Sequence, residues 1–133
     1  MTDQQLTVLI TGGAGYIGSH TVVSCLTAGH RVVVLDDLSN GHSEAINRIE
    51  RICERTVTFY RGSCLDAEYL DQIFSEQSID AVIHFAGLKA VGDSVRLPLD
   101  YYRVNVAGTV SLLSAMQRAD VNRLVFSSSA TVY

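Results

Sequence analysis

Five short runs of apolar residues are spaced along the chain, each rich in β-branched or aromatic side chains. They are Thr7–Ile10, Val32–Leu35, Val57–Tyr60, Ala81–Phe85 and Leu124–Phe126. Within each run the apolar character is continuous and does not alternate with polar residues. Such runs are typical of strands covered on both faces, as in a parallel sheet. The pattern therefore predicts five buried parallel strands.

Helical segments lie between these strands. The pattern predicts helices over Gly15–Ala28, Ser43–Cys53 and Asp66–Glu76, and a longest helix that begins near Pro98. Gly29 is suited to cap the end of the first helix. Proline is tolerated at a helix start, because the N–H it lacks would have no partner there. The longest helix carries one apolar stripe, formed by Tyr102, Val106, Val110, Leu113 and Met116.

Strand and helix alternate along the whole chain, which is the pattern of a doubly wound α/β fold. Right-handed crossovers leave few topologies, and we expect a Rossmann-like parallel sheet in the order 3-2-1-4-5. Ligands of such folds bind at the carboxyl end of the central first strand. No linker or repeat divides residues 1–133, so we expect one domain. A six-stranded dinucleotide fold needs a further strand, so we also expect the domain to be truncated after the fifth.

A glycine-rich turn directly follows the first predicted strand. Gly12, Gly15 and Gly18 occupy the spacing of a dinucleotide-binding fingerprint, between a strand and a helix. A pyrophosphate needs unobstructed N–H donors at a helix N-terminus, where the positive end of the helix dipole also lies. Side chains at positions 12 and 15 would block that approach, and Gly18 would let the first helix lie close to the sheet. The turn predicts a pyrophosphate site.

The second predicted strand ends at Asp36 and Asp37, eighteen residues and more after Gly18. A carboxylate near this spacing hydrogen-bonds the ribose diol of an adenosine. Asp36 would repel a 2′-phosphate, and no arginine follows it directly. The sequence therefore favours NAD over NADP as the cofactor.

Composition and charge narrow the function classes. The chain is 47% hydrophobic and 18% charged, as in globular proteins, and its net charge of −4 argues against nucleic acids and anionic membranes as partners. The segment Met1–Leu6 is too short and too polar for a signal peptide, so we expect a cytoplasmic protein. Cys25, Cys53 and Cys64 lack metal-ligand spacing, which predicts reduced structural thiols and no metal site.

Four motifs together resemble those of a known family. They are TGGAGYIG at 11–18, DDL at 36–38, HFAGLKAVG at 84–92 and FSSSATVY at 126–133. They resemble the extended short-chain dehydrogenases/reductases and, most closely, the NAD-dependent epimerases of UDP-sugars, to which the 84–92 stretch is specific. The similarity runs the length of the chain, which would correspond to only the N-terminal part of such an enzyme, without its substrate domain.

The resemblance implies a set of cofactor contacts. Backbone amides of Tyr16 and Ile17 would bind the pyrophosphate, and Asn40 would join Asp36 and Asp37 at the adenosine ribose. Ser63 and Cys64 would lie beside the adenine, although the family usually has an aspartate where Ser63 stands. The remaining cofactor residues would border the nicotinamide half, with Lys89 at its ribose and Asn105 directed toward the active site: Phe85, Ala86, Gly87, Lys89 and Asn105.

The implied activity is the interconversion of UDP-glucose and UDP-galactose through a 4-keto sugar. A tyrosine takes the proton of the sugar 4-hydroxyl, NAD takes hydride from C4, and Ser129 would hydrogen-bond that hydroxyl. The family places a lysine four residues after the tyrosine. Lys89 is the only lysine here, and none of the six tyrosines has a lysine at that position. We therefore expect these 133 residues alone to lack epimerase activity.

Other interpretations remain open. The glycines and Asp36 could form ordinary turns, Asn105 could bind backbone or water, and the serines at 127–129 could simply end a strand. His84 is expected to be a core histidine with satisfied hydrogen bonds and not a catalyst. At the level of function, the alternatives are a nucleotide-sugar dehydratase or reductase of the same family, and a non-catalytic dinucleotide-binding module. Pairing through the exposed fifth strand would make the protein a homodimer.

Overall fold

The computed structural model describes residues 5–38, 42–85 and 106–126. They form five strands and four helices. The strands are β1 (Thr7–Thr11), β2 (Arg31–Asp36), β3 (Thr58–Arg61), β4 (Ala81–His84) and β5 (Leu124–Phe126). The helices are α1 (Tyr16–Thr27), α2 (Ser43–Cys53), α3 (Ala67–Glu76) and α4 (Gly108–Arg118). Each predicted strand is present to within about one residue at either end, the usual spread of boundary assignments.

All five strands are parallel and lie in the order β3-β2-β1-β4-β5, as predicted. The register places Thr11 beside Leu35 on one side and beside His84 on the other. Asp36 in turn lies beside Arg61. The carboxyl ends of β1 to β4 therefore meet at one edge of the sheet.

The sheet is covered on both faces, which explains why the strands are continuously apolar. Leu9, Val33 and Leu35 face one core cluster with residues of α3 and α4. A second cluster lies on the other face of the sheet. It contains Val8 and Ile10 of β1, Val32 and Val34 of β2, and residues of α1 and α2. Alternate residues of β1 and β2 are thus buried in opposite cores. The result is a three-layer arrangement with β1 at its centre.

Local signals place the helix ends. Gly29 has φ +93°, a conformation that glycine adopts at little cost, and its N–H donates to the Leu26 carbonyl (3.0 Å) to close α1. Asp66 precedes α3, and its side chain accepts the N–H of Tyr69 (3.1 Å). Helix α2 has the predicted bounds.

Helix α4 differs from the prediction in the face that it buries. The residues packed against the sheet are Gly108, Leu112, Ala115 and Met116. Of the predicted stripe, Met116 is buried, whereas Val106, Val110 and Leu113 are exposed, Val110 by 58%. The helix has apolar residues on two faces, and periodicity alone does not tell which face meets the core. Tyr102 and the expected start near Pro98 lie outside the described residues.

Two further expectations concern the whole chain. The three thiols of Cys25, Cys53 and Cys64 are free, as expected. In the described part of the chain, no helix combines the length and apolar character required to span a membrane.

Candidate functional site

The candidate site lies where the four strand ends meet. The glycine turn follows β1, Asp36 ends β2, Ser63 and Cys64 follow β3, and Phe85 follows β4. The strand order changes direction at β1, so this edge is the switch point at which doubly wound folds bind ligands. The structure therefore brings the described part of the predicted site together from four separate segments.

The glycine turn depends on two of its glycines for different reasons. Gly12 has φ +75°, in the left-handed region that favours glycine. A Cβ on Gly18 would lie 2.9 Å from the Gly12 carbonyl carbon, 3.0 Å from the Gly13 Cα, and closer still to the Gly12 oxygen. Gly18 therefore lets helix α1 contact the backbone of the turn itself, a closer neighbour than the sheet.

Gly13 is a turn residue that the fingerprint spacing did not single out. A Cβ there would lie 2.8 Å from Val34 Cγ1 and 3.3 Å from Val22 Cγ2, so the turn packs tightly on β2 and α1. A Cβ on Gly15 would meet only the Gly12 oxygen, at 3.4 Å, which is an ordinary contact. Among the described residues, space inside the protein thus does not require glycine at position 15.

The N-terminus of α1 is open. Gly15 precedes the helix in an extended conformation, and no side chain caps the helix. The first helical hydrogen bond runs from the Ser19 N–H to the Gly15 carbonyl (2.9 Å). The N–H groups of Tyr16, Ile17 and Gly18 come before that bond and have no acceptor within the helix. These donors, at the positive end of the helix dipole, can hydrogen-bond the oxygens of a pyrophosphate, whose two phosphates carry one negative charge each.

Asp36 is a buried carboxylate, with 7% of its surface exposed. Its Oδ2 accepts the N–H of Ala14 (2.9 Å), and its Oδ1 accepts the N–H of Leu38 (2.7 Å). Each oxygen keeps a further lone pair for another donor. The carboxylate is therefore tied to the glycine turn while it can still accept hydrogen bonds from a ligand. Asp37, the next residue, is exposed.

Ser63 and Cys64 flank the same edge after β3. The Ser63 Oγ accepts the N–H of Leu65 (3.0 Å), and the Cys64 side chain packs in the core cluster on the α3 and α4 side. Burial raises the pKa of the Cys64 thiol to about 12, with smaller contributions from the negative charges of Asp37 and Asp36. The negative charges of both carboxylates thus act on the pKa of the thiol, which stays protonated at neutral pH.

His84 is a buried histidine whose ring contacts two hydroxyl groups, as expected of a core residue. Its Nδ1 lies 2.6 Å from Thr11 Oγ1, and its Nε2 lies 3.1 Å from Thr109 Oγ1. Thr11 Oγ1 also accepts the N–H of Phe85 (3.0 Å). The ring therefore connects the ends of β1 and β4 to the first turn of α4. The sequence motifs gave no sign that Thr11 and Thr109 would be its partners.

Six predicted site residues lie outside the described residues. They are Asn40, Ala86, Gly87, Lys89, Asn105 and Ser129. Their predicted roles stay predictions.

The strand order, the glycine turn and the carboxylate at the end of β2 define a Rossmann-type α/β protein. A family model described as NAD dependent epimerase/dehydratase family matches residues 8–133, nearly the whole chain. The chain belongs to the NAD-dependent epimerase/dehydratase family.

Two curated relatives show how much of a family member the chain represents. It is 56% identical over 128 residues to the UDP-glucose 4-epimerase of Bacillus subtilis and 58% identical over 128 residues to that of Erwinia amylovora. In both cases the match covers 96% of this chain and 38% of the relative. The chain therefore spans little more than a third of the length of these relatives.

Solved structures of similar proteins agree with the fold. A UDP-glucose 4-epimerase from Stenotrophomonas maltophila, with bound NAD and formylated UDP-arabinopyranose, superposes with a TM-score of 0.93 at 47% identity. One from Bifidobacterium longum, in complex with NAD+ and UDP, superposes with a TM-score of 0.92 at 46% identity. The matches cover 97% and 96% of this chain, and 38% of each of those chains.

Proposed function

We propose that this chain is the NAD-binding part of a UDP-sugar 4-epimerase that interconverts UDP-glucose and UDP-galactose. The observation that carries the proposal is the open N-terminus of α1. The N–H groups of Tyr16, Ile17 and Gly18 have no acceptor within the helix, and Gly15 at the N-cap position has no side chain to cap it. The buried carboxylate of Asp36 is hydrogen-bonded to Ala14, the residue before Gly15. Relatives of the same family at 46–47% identity bind NAD in their crystal structures.

The described residues fit a dinucleotide in a definite order. The amides of Tyr16 and Ile17 would bind the pyrophosphate, and Asp36 would accept hydrogen bonds from the adenosine ribose hydroxyls, with Asp37 and Asn40 beside it. Ser63 and the backbone of Cys64 would border the adenine, since the Cys64 side chain is buried in the core. Phe85 follows β4, on the other side of β1 from β2, and would border the nicotinamide half.

Cofactor choice follows from charge. A 2′-phosphate would approach the Asp36 carboxylate, which already has two backbone donors and no cation among its described partners. Such an approach brings like charges together in a partly buried site, where their repulsion is weakly screened. We therefore propose NAD and not NADP as the cofactor.

The remaining roles extend the proposal to the reaction. Bound NAD would supply a reversible hydride acceptor for C4 of the sugar. Ala86, Gly87, Lys89 and Asn105 would border its nicotinamide half, and Ser129 would hold the sugar 4-hydroxyl. A tyrosine with a lysine four residues later is absent from these 133 residues, so proton transfer needs groups supplied from elsewhere.

Calorimetric titration of the purified protein with NAD, and in parallel with NADP, tests the cofactor proposal. We expect saturable NAD binding and at least tenfold weaker NADP binding. Gly15→Ala should weaken NAD binding without loss of fold, because its methyl group would stand in the path of the phosphate. The matched control is Gly108→Ala, which adds the same methyl group in the core and should leave affinity unchanged. Equal affinities for NAD and NADP would contradict the proposal.

The reaction is tested separately. The 133-residue protein should bind NAD and should not interconvert UDP-glucose and UDP-galactose in a coupled assay. Interconversion by material shown by mass spectrometry to be free of longer enzymes would refute the assignment of proton transfer to groups outside this chain. Removal of water from the sugar, by a protein that carries this chain and the length found in its relatives, would favour the dehydratase alternative.

We also propose a cytoplasmic homodimer. Three free thiols are typical of proteins from reducing compartments. In the described sheet β5 is the outermost strand next to β4, and its Val125 and Phe126 are exposed by 61% and 56%. Such an edge favours pairing with a second copy. Sedimentation equilibrium should show a dimer, and a monomer at high concentration would contradict this part of the proposal.

A further inference from the structure

We propose that Asp36 is a positioning residue for the glycine turn, in addition to any contact with a ribose. The inference rests on the proposed function for its ligand, but its geometry is independent of that ligand. The Asp36 Oδ2 accepts the N–H of Ala14 at 2.9 Å, across the gap between the end of β2 and the turn that follows β1. Because the carboxylate is 7% exposed, this hydrogen bond is shielded from competing water.

The bond acts at a place where the turn has few other supports. On the two sides of Ala14, the turn is held by Gly12 N–H to the Leu35 carbonyl (2.7 Å) and by Gly15 N–H to the Gly12 carbonyl (3.1 Å), and the Ala14 carbonyl itself accepts a longer bond from the His42 N–H (3.4 Å). Ala14 is a buried residue, so without Asp36 its N–H would be left unsatisfied or would turn toward solvent. Either outcome disturbs the residue directly before the uncapped start of α1.

The second oxygen connects the same carboxylate to its own loop. Oδ1 accepts the N–H of Leu38 at 2.7 Å, and Leu38 has φ +66°, an uncommon conformation for a leucine. One side chain therefore fixes the phosphate turn and the loop after β2 together. The Asp36 carboxylate thus hydrogen-bonds both the glycine turn and the loop after β2 before any ligand arrives.

Charge makes this role separable from a ribose contact. Removal of a negative charge beside a phosphate site should, by itself, strengthen anion binding. A variant that lacks the carboxylate and nevertheless binds a phosphate ligand more weakly must therefore have lost the geometry of the turn. Conversely, a carboxylate that serves only the ribose affects only ligands that carry the ribose hydroxyls.

The test combines two ligands with three variants. ADP and 2′,3′-dideoxy-ADP are titrated into the wild-type protein, Asp36→Ala, Asp36→Asn and the control Asp80→Ala. Asp80 is matched because its Oδ2 accepts the N–H of Thr7 (2.8 Å) at the opposite end of β1. We expect Asp36→Ala to weaken the binding of dideoxy-ADP roughly tenfold. Asp36→Asn keeps one acceptor and should weaken this binding less, and Asp80→Ala should leave it unchanged. An unchanged dissociation constant for dideoxy-ADP in Asp36→Ala would overturn the inference.

A ligand-free measurement separates this inference from the proposed function. Amide hydrogen exchange at Ala14, followed by NMR in the free protein, should be at least tenfold faster in Asp36→Ala than in the wild type and in Asp80→Ala. Unchanged exchange would overturn the inference even where NAD binds. If the wild-type protein binds neither NAD nor ADP, while Ala14 still exchanges faster in Asp36→Ala than in the wild type, the positioning role is supported and the proposed function is refuted.

Discussion

Replacement of Gly18 by alanine sets two opposing effects against each other. Gly18 lies in the first turn of α1, and alanine is favoured over glycine in a helix by about 1 kcal/mol. On propensity alone, Gly18→Ala should therefore stabilise the protein. The added Cβ, however, would lie 2.9 Å from one backbone atom of the turn and 3.0 Å from another, distances that Cβ atoms hardly ever show.

The steric effect should win. The neighbours of this Cβ are backbone atoms of Gly12 and Gly13, which cannot rotate away as a flexible side chain could. Overpacking of this kind costs about 1–3 kcal/mol, and backbone contacts belong to the upper end of that range. After the gain in helix propensity, we expect a net loss of about 2 kcal/mol in the free energy of unfolding. The displaced turn should also bind NAD at least tenfold more weakly.

Urea unfolding followed by circular dichroism measures the stability, and calorimetry measures the affinity. Gly108→Ala is the matched control, because its Cβ would meet, among the described residues, only Cys64 Cβ at 3.6 Å, an ordinary contact. It should be as stable as the wild type or more stable by up to about 1 kcal/mol. If Gly18→Ala proved as stable as Gly108→Ala and bound NAD like the wild type, the argument from close backbone contact would be wrong.

Three further predictions concern other parts of the fold. Gly29→Ala should lower stability by about 1 kcal/mol in urea unfolding, because φ is +93° while its Cβ would meet nothing within 4 Å; an unchanged midpoint would refute the conformational argument. Cys64, with its pKa raised to about 12, should react with iodoacetamide at pH 8 on the order of 10³-fold more slowly in the folded than in the denatured protein, and similar rates would contradict its burial. Burial and the Glu76 hydrogen bond raise the pKa of Tyr60, and that bond lowers the pKa of Glu76. The stability that the Tyr60–Glu76 hydrogen bond contributes should therefore be lost as the pH rises above the ordinary tyrosine range, and also as it falls below the ordinary glutamate range. The absorbance titration of the wild type at 295 nm, after subtraction of that of Tyr60→Phe, should show a phenol that ionises above the ordinary pKa of about 10. An ordinary midpoint would contradict this.

The strands and most helix ends could be predicted because local signals coincide with the tertiary structure. Val32–Leu35 is apolar at every position since both faces of β2 are buried, and Gly29 marks the end of α1 since no other residue adopts its conformation cheaply. In these places the type of the residue itself determines the local structure. The strand order then follows from the handedness of the crossovers.

The rest could not be predicted because it depends on neighbours distant in sequence. Leu112 and Leu113 are equally apolar, and only the position of α4 against the sheet decides that Leu112 is buried and Leu113 exposed. The requirement for glycine at position 13 comes from Val34, on another strand. The hydrogen bonds of Asp36 to Ala14, and of His84 to its two threonines, likewise join segments that no local pattern connects.

The central position of β1 has a consequence for the order of folding. The hydrogen bond of Leu6 to His30, beside the pairing of β1 with β2, spans 24 residues, whereas the contact of Thr11 with His84 spans 73. Closing the longer loop costs more chain entropy, and non-local pairing of this kind slows folding. On a ribosome, β1, α1 and β2 can associate well before β4 has been synthesised. The glycine turn and its carboxylate can therefore form early, and β1 then keeps one unpaired edge until the second half of the sheet emerges.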